Sequence, residues 1–336
     1  MADLELPPAD WLEAVRSEYL ASFVRDGGAA VKVAVVSSPG DAEPLAQELL
    51  AEAHSFGFVG ATLDAGSCKV HLVHNLFWEI ARQVDWDLLS RGFLNGALRA
   101  DGFRLPEDGR LDVDGIASAN DQDVAVVKQA TRSILTNSLM RDYRLGRQFR
   151  LGILALCQAL LEPDDIRREL AEHVRAWLRG ELPRVGPLRQ AFIYQKIDRH
   201  TARTMVLSTA AFARKAGRQG LVVVADISRY AHPATLPRAV GGAPGEAGGG
   251  GEAERNRYSK SAALDMWETL RQFVDGTDDM EGCLLVFVAG REFLEDDQRG
   301  LRGYNALHLR LTDDVRDRRR PNPLAPMVRL ARVEAC

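Results

Sequence analysis

Nowhere in the 336 residues does an uninterrupted apolar run approach the roughly 20 residues that a membrane-spanning helix needs, so no membrane span is expected. Cysteine is scarce. Cys68, Cys157, Cys283 and Cys336 lie far apart and form no CxxC pair. That spacing suggests neither a zinc frame nor a disulfide scaffold, and it fits a reducing, cytoplasmic setting. The chain does not open on a basic start followed by an apolar stretch, and no secretory leader is expected. Charge of one sign does not dominate: 43 Lys and Arg stand against 47 Asp and Glu, a formal net charge of −4. Without a global basic field, contact with nucleic acid or an anionic membrane must use a local patch. No internal repeat of fixed period is found.

What is present is an ordinary globular composition, 46% hydrophobic and 27% charged, long enough for one large or two ordinary domains. Residues 11–24 read as an amphipathic helix with Trp11, Leu12, Val15, Tyr19, Leu20 and Phe23 on one side. Residues 31–36 are apolar apart from Lys32, as a buried strand would be. A helix over 42–55, a strand over 58–63 and a helical element over 68–84 follow, giving the α-β-α-β-α rhythm of a parallel sheet with helices on its faces. Strand signals then vanish, and helical patterns fill 123–140, 147–161 and 164–179. Strands return at 220–227 and 282–290, each preceded by a helix, 199–216 and 259–274. The expected organisation is a first half of an α/β core over 1–86, a helical insert over 87–195 and a second half of the core over 196–311. A peripheral, charged and proline-broken extension is expected over 312–336. The glycine-rich stretch 238–254 has too little to pack and is expected to be a mobile surface loop whose deletion folding tolerates.

The stretch VAVVSSPGDAEPLAQELL (33–50) is strand, tight loop and helix, the setting of a phosphate-binding loop. Its loop is Ser37, Ser38, Pro39 and Gly40. A lysine to meet phosphate is missing, and Glu43 stands near its place. Taken alone, such a stretch is more often an ordinary strand-to-helix turn, because strand-loop-helix units are common.

Together with this loop, three later stretches resemble the P-loop ATP-binding proteins of bacterial BREX-type phage-defence systems, the BrxD-like family. They are WLRGELP (177–183), KIDRHTARTMVLSTAAFARKAGRQGLVVVADI (196–227) and LLVFVAGREFLEDDQRGLRGYNALHLRL (284–311). The resemblance implies an α/β fold with an AAA+-like P-loop parallel sheet, flanked by helices and carrying a large helical insert. In such proteins the loop ends in Gly-Lys-Thr or Gly-Lys-Ser. Carried onto this chain, Gly40 keeps the central glycine and Ala42 takes the glycine before the lysine. Glu43 takes the lysine and Pro44 the hydroxyl residue that holds magnesium. A carboxylate beside a triphosphate repels it by about 1 kcal/mol in water and several times more where water is excluded. Pro44 has neither hydroxyl nor backbone N–H to offer, although it suits the first turn of a helix. The family's second motif, an apolar strand ending in Asp-Glu, reads Asp226-Ile227 here. Asp226 keeps a carboxylate for magnesium, but Ile227 cannot orient a water. Arg291 stands where the family tends to carry a small hydroxyl residue after Ala289-Gly290. Residues of one catalytic unit act together, so three coincident changes imply a pseudo-ATPase with no catalytic residue and no bound cofactor.

The resemblance therefore implies a structural or adaptor subunit of an antiviral or DNA-processing complex. Its partners would be other protein subunits, an active ATPase or helicase among them, with DNA reached through the complex. In an AAA+-like ring, Arg291, Arg299 and Arg302 are candidates to face a neighbouring subunit's nucleotide, against an ordinary role in surface ion pairs. Two rival readings are an ATPase with unusual phosphate contacts, supported by Asp226, and a DNA-binding module. The DNA module would use Lys128, Arg132, Arg141, Arg144, Arg147 and Arg150, with Tyr143 and Phe149 interleaved. A solvated or ion-paired face explains the same basic series. His71 and His74 have a spacing that could share a metal on a helix, but no third ligand is suggested nearby and a structural role is expected. Arg318, Arg319 and Arg320 are offset by Asp313, Asp314 and Asp317.

Overall fold

The computed structural model describes residues 5–231, 258–312 and 321–332. The glycine-rich stretch 238–254, the 313–320 charge cluster and Cys336 lie outside the described residues. The chain begins with helix α1 (Pro8–Ala14), which continues as π-helix over Val15–Phe23. Strand β1 (Ala29–Val35), α2 (Ala42–Ser55), β2 (Val59–Asp64) and α3 (Val73–Gln83) follow. The helical insert is built from α4 (Trp86–Ala100), α5 (Val113–Asn120), α6 (Val124–Leu135), α7 (Arg147–Leu161) and α8 (Asp165–Leu178). Then come α9 (Ala202–Lys215), β3 (Leu221–Asp226), the short α10 (Ser228–Ala231), α11 (Lys260–Asp275) and β4 (Cys283–Ala289). The short α12 (Glu292–Glu295), α13 (Asn305–Leu311) and β5 (Met327–Arg329) complete the described elements.

The five strands form one parallel sheet in the order β2-β3-β4-β1-β5. Both faces are covered, which is why β3 and β4 read as continuous apolar runs instead of alternating ones. Val31, Val33, Val35, Leu285 and Phe287 point to the face covered by α3, α9 and α11. Ala30, Ala34, Val286 and Val288 point to the opposite face, beneath α1, its π-helical continuation and α2. Gly220 lets β3 start against β4: its φ is +139°, and a Cβ there would lie 2.0 Å from the Gly282 carbonyl oxygen. An α/β chain with a parallel sheet is thus the observed class.

Three expectations are corrected, and one domain boundary is refined. The helix over 11–24 is α-helical only to Ala14. Its buried residues Trp11, Val15, Leu20 and Val24 are spaced by four, five and four, so a π turn keeps all four on one face, while Phe23 is exposed. The element over 68–84 is helical only from Val73, since Asp64 caps the preceding turn through Gly66 N (2.6 Å). The tail is not peripheral. Its β5 pairs in parallel with β1, buries Val328 and Leu330, and receives a bridge from Leu6. Prolines confined to the approach of an edge strand concealed it from pattern reading. The helical insert has no core of its own, because one apolar cluster runs from the sheet through α3 and α9 into α4, α6, α7 and α8. Gly92 of α4 lies against α9, where a Cβ would stand 2.4 Å from the Ala216 carbonyl oxygen.

Candidate functional site

In an open parallel sheet, ligands bind outside the carboxyl ends of the strands where the connections part. Here that place is the end of β1 and β4. After β1 the chain crosses toward β2, and after β4 it crosses toward β5. The loop 36–41 and Arg291 meet at this crevice.

The loop is short, and several of its polar groups are engaged. Val36 N donates to Ala289 O (2.9 Å), extending the β1–β4 ladder. The Ser37 hydroxyl donates to Leu330 O (2.8 Å), fastening the loop to the segment after β5. Ser38 N donates to Asp41 Oδ2 (3.0 Å), and Asp41 N donates back to Ser38 O (3.0 Å). Pro39–Asp41 is a single 3₁₀ turn leading into α2. Gly40 has a negative φ, and a Cβ there would meet only Ser38 Oγ at 3.8 Å, so the turn does not require glycine. Glu43 and Pro44 are exposed, with Glu43 accepting from Gln47 Nε2 (3.1 Å). Two carboxylates, Asp41 and Glu43, therefore stand at the positive end of α2, where negative charge is favoured.

Arg291 Nη2 reaches back to this loop, donating to Ser37 Oγ (3.1 Å) and pairing with Glu5 Oε1 (3.0 Å). Lys32, the cation inside β1, points to the α2 face and donates to the carbonyl of Ala325 (3.3 Å) beside the Tyr19 ring. Burial lowers its pKa to about 8. It anchors the approach to β5 and does not replace the missing loop lysine.

Asp226 ends β3 in register with Asp64 at the end of β2. It is half-buried, and its Oδ1 accepts from Ser228 N (2.9 Å), which starts α10. Burial, then the Asp64 charge, push its carboxyl above the ordinary value. Ile227 is fully buried in the cluster on the other face, and its N–H donates to Val288 O (2.8 Å). The two residues of the second motif thus point to opposite faces of the sheet.

A layer of aromatic residues on the face of Ile227 was not legible in the sequence. Tyr230 stacks on Tyr258 at 3.9 Å between ring centres. Its hydroxyl accepts from His71 N (3.0 Å) and lies 2.8 Å from His71 Nδ1. The Tyr258 hydroxyl donates to Ala65 O (2.6 Å). Burial lowers the His71 pKa and so favours the neutral ring. His74 lies against Trp78 instead of beside His71. Phase and spacing along the chain carry no sign of this layer, because His71 lies 159 residues from Tyr230.

The other candidate residues do not converge. Arg299 is half-buried, donating from Nη1 to Tyr258 O (2.9 Å), whereas Arg302 pairs with Asp297 (3.2 Å) on the surface. The basic series of the insert is scattered among acids. Lys128 and Arg132 face Glu162 at 2.6 and 3.9 Å, and Arg144 pairs with Asp142 (2.9 Å) and Glu281 (2.8 Å). Arg150 is buried, bonded to Met140 O and stacked near Tyr143, while Arg141 and Arg147 are exposed. Elsewhere, a cavity of about 460 Å³ lies in the insert, lined by Arg91, Asp108, Arg110, Asp112 and Arg168. Among the described residues, no helix is long and apolar enough to cross a membrane.

No curated protein and no solved structure matches this chain. Residues 257–335, which include Arg291, Arg299, Arg302 and β5 but not the loop after β1, match the family described as BREX system ATP-binding protein BrxC/D, and the match supports a relationship to the BREX ATP-binding proteins.

Proposed function

We propose that this chain is a non-hydrolysing, AAA+-like subunit of a bacterial phage-defence complex that acts through protein contacts. Membership of a BREX-type system rests on the match over 257–335. The absence of hydrolysis rests on one observation: the turn after β1 is satisfied by its own carboxylate. Ser38 N is taken by Asp41, Asp41 N by Ser38 O, and Ser37 Oγ by Leu330 O. A phosphate cradle needs free backbone donors, a left-handed or glycine-shaped concavity and a cation. These residues supply instead a 3₁₀ turn with Asp41 and Glu43 at its exit, and they do not fit a triphosphate. The matched stretch begins far beyond this loop, so the family match says nothing of it. A fold that has lost such chemistry keeps its surfaces, and function then resides in interfaces.

Calorimetry of the purified chain with Mg-ATP up to millimolar nucleotide is expected to give no saturable heat. A micromolar dissociation constant overturns the reading and restores that of an ATPase with unusual phosphate contacts. The double change Glu43→Lys with Pro44→Thr is expected not to create binding by itself, because Asp41 still holds Ser38 N. The subunit role is tested by affinity purification from a host carrying the intact defence system. Stoichiometric recovery of other subunits supports it, and recovery of the chain alone counts against it.

A further inference from the structure

The surface with the strongest unexplained signature lies after α8, over residues 184–200. It holds two exposed aromatic rings, Phe192 (64% exposed) and Tyr194 (59% exposed). Phe192 sits in the left-handed region (φ +57°), where a bulky residue is strained. Its exposed ring offers no core packing to offset that strain. The backbone beneath the rings is nevertheless firmly held. Ile193 and Ile197 are buried, Ile193 N donates to Leu188 O (3.2 Å), and Trp177 Nε1 donates to Gln195 O (3.1 Å). The rings are thus presented outward by a fixed loop.

Four cations surround the rings. Arg184, Arg189, Lys196 and Arg199 are all exposed, and none forms an ion pair with a carboxylate among the described residues. Elsewhere, the exposed Arg16, Arg144 and Arg168 have acidic partners, whereas Arg25, Lys69, Arg91, Arg99 and Arg104 are exposed with no carboxylate partner among the described residues. Asp198, the acid within 184–200, is occupied in accepting from His200 N (2.9 Å) and Thr201 N (3.0 Å). Across the loop, Gln148 Nε2 donates to Gln195 Oε1 (3.2 Å), which brings the exposed Arg147 to the same neighbourhood.

We propose that this loop binds single-stranded nucleic acid, with Phe192 and Tyr194 stacking on unpaired bases and Arg189, Lys196 and Arg199 contacting phosphates. Exposed rings among unpaired cations are the two components of such a platform. Bases in a duplex are already stacked on one another, so the rings favour single strands. The site differs from the basic series of the insert, from which it takes only Arg147, and it stands independently of the nucleotide reading of the β1 loop.

The test is fluorescence anisotropy of the full chain with labelled oligo-dT, oligo-rU and a DNA duplex, each of about 20 nucleotides, longer than one site of this kind. Micromolar or tighter binding to single strands, weaker for duplex, is expected; the dT and rU arms tell DNA from RNA. Phe192→Ala and Tyr194→Ala should each weaken binding by about 10-fold. Arg189→Glu with Lys196→Glu should flatten the dependence of log affinity on log salt by about 0.7 for each phosphate no longer neutralised. Phe192→Gly separates binding from folding: it relieves the left-handed strain, so the melting temperature should hold or rise while affinity falls. The proposal is overturned if no oligonucleotide binds saturably, if duplex binds as well as single strands, or if affinity survives loss of both rings. Failure to bind any oligonucleotide would leave the loop as a protein-docking surface.

Discussion

Glu268 on α11 gathers donors from three side chains. It accepts from Arg271 Nη2 (2.6 Å) and Nε (2.8 Å), from Gln272 Nε2 (2.8 Å) and from the Tyr304 hydroxyl that precedes α13. The hydrogen bond from Arg271, more than any other contact, holds its carboxyl at about 2 against an ordinary 4.5. A carboxyl depressed in the folded state binds fewer protons there than when unfolded. Its stabilisation is therefore full above about 4.5 and disappears as pH falls through about 2. Glu268→Gln is expected to lower the urea midpoint at neutral pH, with the gap to the native chain closing between those values. A gap that stays constant down to pH 2 would show that the carboxylate charge contributes nothing. Arg299 illustrates the same residue-scale logic in reverse. On sequence grounds it is one of three equivalent arginines, yet its Nη1 is committed to the Tyr258 carbonyl. Reversing its charge would disturb the aromatic layer as well as any interface.

At the scale of elements, β5 is a three-residue strand with a large share in the sheet's edge. Val33 N donates to Pro326 O (2.9 Å), Leu330 N to Val35 O (2.8 Å) and Lys32 Nζ to Ala325 O (3.3 Å). Ending the chain after Thr312 would uncover this edge of β1 and expose the packing partners of Val328 and Leu330. Two buried aliphatic side chains correspond to about 3–6 kcal/mol. The shortened chain should melt several degrees lower and aggregate through the open edge. An unchanged melting curve would refute the role assigned to β5. Gly220→Ala is expected to be as damaging, since no side chain fits 2.0 Å from the Gly282 carbonyl. Strands β1, β3 and β4 and helices α2, α7 and α8 could be read from the sequence because buried strands and amphipathic helices leave continuous or periodic apolar patterns. Strand β5 could not, because three residues carry no period and prolines mask them. Helix α4 and the aromatic layer were missed as well. The loop after β1 was located correctly in the chain, but its self-capping by Asp41 depends on side-chain direction, which spacing does not specify.

At the scale of the whole molecule, the insert and the sheet share one apolar core. Phe212 of α9 lies 5.5 Å from Phe93 of α4 and 5.8 Å from Phe149 of α7, ring centre to ring centre. A fragment spanning 87–195 would lose these partners and is expected to show no cooperative melt. In the proposed subunit role, a partner would meet one solid body, and surface charge is where an interface can be altered without disturbing that body. Arg302 and Arg291 are the suitable positions. Among the described residues Arg302 pairs with the exposed Asp297, and Arg291 borders the crevice at the end of β1 with Glu5 and Ser37. Charge reversal at both should reduce recovery of an associated subunit, or its ATPase rate, by about 10-fold, the scale for loss of a close interfacial charge pair. Asp226→Ala is the paired control. Its carboxyl is half-buried, raised by burial and by Asp64, and bonded to Ser228 N within its own turn. Removing it relieves a repulsion at a half-buried site, so association and partner activity should stay unchanged. If Asp226→Ala abolishes phage defence while the arginine reversals are silent, the adaptor role fails, and the carboxylate at the end of β3 becomes the centre of a hydrolytic site.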